Sequence, residues 1–272
     1  MAYITKTNLS EGPQFGSQMA QYAGLYAVSK KLGFDIVFFE EYMNVFRKVK
    51  LFEAFNLKNP ILSIHQSHDR YELKDVVLDS DVYNLDTTKN WDIGGWFHLY
   101  HYWHDYRDEL LNIFKFKDEI YDMALANINV VKNNENYPIV SLHVRRGDYV
   151  QLASLNLSLD YYIEAVNKFI SDGKYFKLLV FSDDIEWCKT YIVGENVYYS
   201  ENNTNYVDMC MMTLCDHNII ANSTFSWWGA YLNQNPNKIV ICPEDYVGNS
   251  DAASQFINKN YYPNEWISLK IK

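Results

Sequence analysis

The sequence predicts an α/β protein with a doubly wound parallel sheet, and three observations lead there. Short apolar runs of strand length recur along the chain, each closed by a polar tip and followed by a segment with helical spacing. The N-terminal stretch already reads strand, glycine-bearing loop, helix, strand. With 272 residues and 48% apolar composition, the chain can fill one large core or two cores of roughly 130 residues each.

Taken in order, Tyr3-Ile4-Thr5 predicts the first strand, and Glu11-Gly12-Pro13-Gln14-Phe15-Gly16 supplies loop chemistry. Ser17 suits an N-cap. From it Met19, Tyr22, Ala23, Tyr26 and Ala27 continue a helical pattern until Gly33 stops the helix. Phe34 to Phe39 reads as one strand. Residues 40 to 96 are irregular and polar, and a helix rich in Tyr and Trp is predicted over Leu99 to Phe114. Lys132-Asn133-Asn134-Glu135-Asn136 has the polarity of a linker, so residues 1-136 are expected to form one domain and 137-272 another.

Beyond that linker the alternation sharpens. Pro138 to Leu142 is a buried strand. Tyr162, Ala165, Val166, Phe169 and Ile170 mark an amphipathic helix, and Lys177 to Phe181 is a strand ending in Ser182-Asp183-Asp184. Val207, Cys210, Met211, Leu214 and Cys215 share another helical face. His217 to Ala221 is a strand, Ser223 to Asn233 a helix, and Ile239 to Cys242 a strand.

Composition narrows the function classes. A net charge of −10 argues against a nucleic-acid binder and against a broadly cationic membrane-binding surface. Aromatics reach 17%, which serves sugar stacking and ordinary core packing alike. Cys188, Cys210, Cys215 and Cys242 have no metal-ligand spacing, and the start MAYITKTNLSEG carries no apolar leader segment. A reduced cytoplasmic protein is expected, with no integral membrane segment and with peripheral association left open. The sequons at Asn8, Asn156, Asn202 and Asn222 then count as chance matches.

In a doubly wound sheet, ligands bind beyond the carboxyl ends of the strands. Three predicted strand ends carry suitable groups. His143-Val144-Arg145-Arg146-Gly147-Asp148 offers two permanently charged guanidinium forks that match phosphate oxygens. Arg145 and Arg146, adjacent in extended chain, point to opposite sides; one is expected on the ligand, and the other in an orienting ion pair with Asp148. At Ser182-Asp183-Asp184 an acidic residue is placed to accept from guanine or ribose donors, and Asp184 serves that end or caps the next helix. Asn222-Ser223-Thr224-Phe225-Ser226 runs into a helix, whose first N–H groups and hydroxyls make a phosphate seat.

His-x-Arg-Arg-x-Asp resembles the signature shared by the α1,2-, α1,6- and protein O-fucosyltransferases. The fuller HVRRGDYVQL and ANSTFSWWGAYL are most similar to the α1,2-fucosyltransferases of glycosyltransferase family 11. FGSQMAQYA at residues 15 to 23 looks like the family's GNQMFQYA, with Ser17 in place of asparagine and Ala20 in place of phenylalanine. Gly95-Trp96-Phe97-His98 resembles its aromatic GYFQ-type element on the acceptor side.

That resemblance implies a GT-B-type fold of two Rossmann-like domains facing a cleft, the first on the acceptor side and the second binding the GDP-sugar. It implies that Arg145 holds the β-phosphate of GDP-fucose, that His143 lies by the guanine, and that Asp183 contacts the nucleoside. Ser223, Thr224, Phe225 (through its backbone) and Ser226 would complete the phosphate seat, with Arg146, Gly16 and Gln18 also on the donor. Asp148 and His98 are the candidate bases. The implied reaction is inverting transfer of L-fucose to a galactose-containing glycan in α1,2 linkage, with no cofactor and no metal. Two other classes keep the same donor tips: a transferase for another GDP-deoxysugar, and a non-catalytic nucleotide-sugar or glycan binder.

Three patterns compete for attention. His98, His101 and His104 are three apart, a poor ligand spacing for zinc. Asp79-Ser80-Asp81 imitates a metal-binding DxD without a preceding apolar strand, and Gly12 to Gly16 is no GxGxxG.

Overall fold

The computed structural model describes residues 2–270 apart from 10–13, 45–49, 64–66, 75–76, 171–174 and 249–250. The Glu11-Gly12-Pro13 part of the expected loop therefore lies outside the described residues. The chain divides into two compact units, Met1–Lys117 and Asp118–Lys272.

In the first unit, β1 (Tyr3–Thr5), β2 (Asp35–Ile36), β5 (Asp69–Glu72) and β6 (Trp91–Gly94) form a parallel sheet in the order β2-β1-β6-β5. β3 (Phe38–Phe39) pairs separately with β4 (Ile61–Leu62). The expected single strand over 34–39 is thus two short ones in different sheets, divided at Val37, whose N–H still bonds Ile4 O at 3.0 Å. Helix α1 (Phe15–Leu32) is buried on nearly every face, Gln18 and Gln21 included. It ends at Gly33, whose φ of 79° closes the last turn. Its N-cap is Gln14, so Ser17 lies inside the helix rather than capping it.

The remaining helices of this unit are short: α2 (Glu40–Asn44), α3 (Leu51–Ala54) and α4 (Arg107–Ile113). The long helix expected over 99–114 is two 3-10 turns, 100–102 and 104–106, followed by α4. Tyr102 and Trp103 are both buried, and the Tyr102 hydroxyl accepts from Asp79 N at 2.7 Å while donating to Val77 O. Two adjacent side chains anchored this way are poorly served by the 3.6-residue period of an α-helix.

The second unit opens with α5 (Asp118–Lys132), so the division lies ahead of the expected linker at 132–136. The reason is packing: α5 lies against α8 (Asn205–Leu214), and Lys177 Nζ donates to Val131 O and Lys132 O at its C-terminal end, each at 2.9 Å. Six parallel strands follow in the order β12-β11-β10-β7-β8-β9. They are β7 (Ile139–Val144), β8 (Lys177–Ser182), β9 (Val197–Tyr199), β10 (His217–Ile219), β11 (Val240–Pro243) and β12 (Ile267–Leu269). The crossovers are α6 (Leu159–Ile170), α7 (Ile185–Tyr191), α8, α9 (Thr224–Leu232) and α10 (Ala252–Tyr261).

Val140, Leu142 and Val144 of β7 join Leu178 and Val180 of β8, Tyr162, Ala165 and Phe169 of α6, and Ile219 in one core. Chain order runs outward from β7 through β8 to β9, then returns to β10 on the other side of β7. The switch point of the sheet is therefore the crevice between the carboxyl ends of β7 and β10.

Candidate functional site

Burial of β7 to its last residue determines what its tip can present. His143 is the fifth residue of that strand and is buried, not exposed beyond it. Its Nδ1 shares a hydrogen bond of 2.8 Å with Ser226 Oγ, and its ring lies 5.4 Å from that of Phe225. The strand before the arginines is thereby tied to the first turn of α9 across the switch point. Burial, reinforced by repulsion from Arg145, pushes the imidazole down to about 3, so it is neutral at physiological pH.

Past Val144 the two arginines part as expected, but their partners differ from the expected ones. Arg145 pairs with two carboxylates: Nη2 lies 2.5 Å from Asp148 Oδ1 and Nη1 2.8 Å from Asp183 Oδ2. Arg146 pairs with Asp184 Oδ2 at 3.0 Å, its guanidinium 4.1 Å from the centre of the Trp187 ring. The expected Arg146–Asp148 bridge is not formed, because Asp148, the second residue of the 3-10 turn 147–151, pairs with Arg145. Asp183 also accepts from Arg146 N at 2.8 Å, so one carboxylate holds the backbone of one arginine and the side chain of the other. Gly147 permits this approach: a Cβ there would lie 2.5 Å from Asp183 Oδ2. Asp184 is the N-cap of α7, accepting from Trp187 N.

The third tip is a capped helix start. Ser223 is the N-cap of α9, its Oγ accepting from Phe225 N at 3.3 Å, so the backbone group expected to face a phosphate already has a partner in the cap. Thr224 and Phe225 are half-buried and Ser226 is buried. Asn222, the first residue of this tip, to which the sequence assigned no role, donates to Leu155 O at 3.0 Å and Tyr246 O at 3.1 Å and so ties two loops to the end of β10. An asparagine ahead of a serine-capped helix was the available signal. Together the second unit brings His143, Arg145, Arg146, Asp148, Asp183 and Ser223 to Ser226 to neighbouring strand ends of one sheet. A cationic fork and a helix N-terminus at one switch point suit a diphosphate.

Gly16, Gln18 and His98 belong to the first unit. Gly16 is buried in the first turn of α1, and Gln18 Oε1 accepts from Lys50 N at 2.8 Å. His98 follows β6 in a built turn: Gly95 has φ +83° and Phe97 φ +51°. Phe97 is fully buried against Gly24 of α1, where a Cβ would sit 2.1 Å from the ring. Lys6 Nζ donates to Ile93 O and Gly95 O at 3.0 and 2.6 Å. The turn leaves Trp96 41% exposed, its ring 5.8 Å from that of His98, which is an apolar platform beside an imidazole.

The competing patterns resolve into structure. Asp79 is buried and caps the 3-10 turn 80–84, accepting from Tyr71 Oη and Lys74 N, while Asp81 pairs with Lys74. Among the described residues, no group of three His, Cys, Asp or Glu is placed to hold a metal ion. The cysteines are free and buried, and burial pushes the Cys188 thiol up to about 11, which leaves no thiolate nucleophile there. No helix among the described residues is long and apolar enough to cross a membrane.

The profile described as Glycosyl transferase family 11 matches residues 4–270. The chain belongs to that family. It is accordingly a glycosyltransferase, and the resemblance read from HVRRGDY and ANSTFSWWGAYL is borne out. Among its relatives, the family 11 chain is 30% identical to the O-antigen biosynthesis glycosyltransferase WbnK of Escherichia coli, over 93% of this chain and 97% of that one. It is 36% identical to an alpha-1,2-colitosyltransferase of Escherichia coli, over 48% of this chain and 47% of that one. To the galactoside 2-alpha-L-fucosyltransferase Sec1 of Mus musculus it is 25% identical, over 94% and 72%. The crystal structure of the fucosyltransferase NodZ from Bradyrhizobium superposes with a TM-score of 0.59 at 11% identity, over 84% of this chain and 93% of that one. At such identity the likeness speaks to fold, and the fold is of the GT-B type.

Proposed function

We propose that this family 11 enzyme transfers L-fucose from GDP-β-L-fucose to a galactoside hydroxyl, with inversion and without a metal, forming an α1,2 linkage. One observation carries the reading: Arg145 and the start of α9 stand at neighbouring strand ends, linked through the His143–Ser226 hydrogen bond. In the reaction the bond from the sugar C1 to the β-phosphate oxygen breaks and its electron pair leaves with GDP. The acceptor oxygen bonds C1 from the opposite face and gives up its proton. Arg145 and the N–H groups of the first turn of α9 oppose the charge that grows on the diphosphate.

His98, beside the exposed Trp96, is the proposed proton acceptor. Asp148 is not assigned that task, because its Oδ1 is held by Arg145. Asp183 and His143 are proposed to sit around the nucleoside, with Gly16 and Gln18 on the donor from the first unit. The proposed setting is the cytoplasm of a bacterium, a reading supported by the likeness to a glycosyltransferase of Escherichia coli named for O-antigen biosynthesis.

Calorimetry with GDP, with and without Mn²⁺, tests the donor assignment on the wild type and on Arg145→Ala. Losing a charge-assisted hydrogen-bond donor to a phosphate weakens binding about ten- to a hundredfold. Unchanged affinity in the variant sinks the diphosphate role of Arg145, and binding that demands Mn²⁺ sinks the metal-free reading. A second reading, transfer of a different GDP-deoxysugar, is favoured by the 36% identity to the colitosyltransferase. Turnover with GDP-fucose against GDP-colitose on lactose separates the two.

A further inference from the structure

Both terminal nitrogens of Arg145 are already engaged by carboxylates, Nη1 by Asp183 and Nη2 by Asp148. A phosphate gripped end-on, through Nη1 and Nη2 together, approaches the fork where both carboxylates stand, and its charge opposes theirs, so such a grip competes with them for the guanidinium. The two are not equally free to leave. Asp183 stands at the end of β8 with a side chain 27% exposed, and its other oxygen accepts from Arg146 N at 2.8 Å. Asp148 stands on a single 3-10 turn with a side chain 64% exposed, 2.5 Å from Arg145 Nη2. An exposed ion pair within one turn is weak, and a polyanion that also meets a helix N-terminus outcompetes it.

We propose that Asp148 is an internal competitor of the donor diphosphate: it occupies Arg145 Nη2 until the β-phosphate displaces it, and retakes the guanidinium as GDP departs. This role rests on the donor reading of Arg145 and replaces that of a base. Asp183 stays in place throughout, holding the Arg146 backbone so that the fork keeps its direction while its partner changes. The exchange also couples the 147–151 turn to donor occupancy, because the turn carries Asp148.

An internal competitor lowers apparent affinity by the fraction of time it holds the site. Asp148→Asn removes the competing charge and keeps the side-chain shape. GDP is then expected to bind about three- to tenfold more tightly and to inhibit transfer at correspondingly lower concentration. GMP, which lacks the β-phosphate, is expected to bind Asp148→Asn and the wild type alike, and Asp148→Glu to behave like the wild type. In an Arg145→Ala background the same Asp148→Asn change is expected to lose its effect, because the competed-for group is gone.

A tighter complex cannot come from damage to the fold, so the direction of the change is diagnostic. Asp148→Asn binding GDP equally or more weakly overturns the proposal, as does an equal gain for GMP or a gain that survives in the Arg145→Ala background. A wild type that fails to bind GDP at all is a different outcome, and sinks the donor reading itself.

Discussion

At the scale of single residues, His143 shows how position in the sheet rewrites chemistry. The same imidazole read from sequence as part of an exposed strand tip is buried on β7 and bonded to Ser226 Oγ. Its folded pKa, about 3, lies below the value near 6.5 of an unfolded histidine. On acidification the unfolded chain takes up this proton first, so stability falls as pH drops from about 6.5 towards 3. His143→Gln removes that proton site. Urea denaturation is expected to show the wild type losing about 1.4 kcal/mol per pH unit relative to the variant between pH 6 and 4. Parallel pH curves contradict the burial of a neutral ring. The arginines teach a related lesson: adjacency in sequence told that they diverge, but not that Asp183, just past the end of β8, holds both.

At the scale of elements, helix ends were legible where a short polar side chain caps its own turn. Asp184 was marked as a possible cap and caps α7; Ser223, read as part of a phosphate seat, caps α9. Ser17 failed because Gln14 starts α1 one turn earlier, its own side chain making no capping bond. Ser223→Ala is expected to cost about 1 kcal/mol in chemical denaturation, and Ser223→Gly only a few tenths. Equal losses in the two variants speak against a capping hydroxyl. The 99–114 segment was misread because aromatic content says nothing of how side chains are anchored. Tyr102 is bound to backbone on either side of Leu78.

At the scale of the whole chain, the division into compact units falls ahead of α5, between Lys117 and Asp118, and not at the polar stretch 132–136. A polar stretch looks the same whether it links domains or ends a helix whose last carbonyls a distant lysine collects. A fragment beginning at Asp118 is therefore expected to unfold cooperatively on heating. One beginning at Tyr137 uncovers the face of α8 that α5 covers, and is expected to melt lower or aggregate. Equal melting temperatures for the two fragments place the boundary back at the linker.

By itself the sequence determined the alternation of strands and helices beyond Pro138, the Gly33 and Asp184 helix ends and the three polar tips, because each depends on neighbours within one or two turns. The family followed from the wording of those tips. Only the tertiary structure decided that β10 returns beside β7, and with it the partners that matter. His143 meets Ser226 from 83 residues away, and Asp183 meets Arg146 from 37. Such contacts depend on strand order, which local periodicity does not encode.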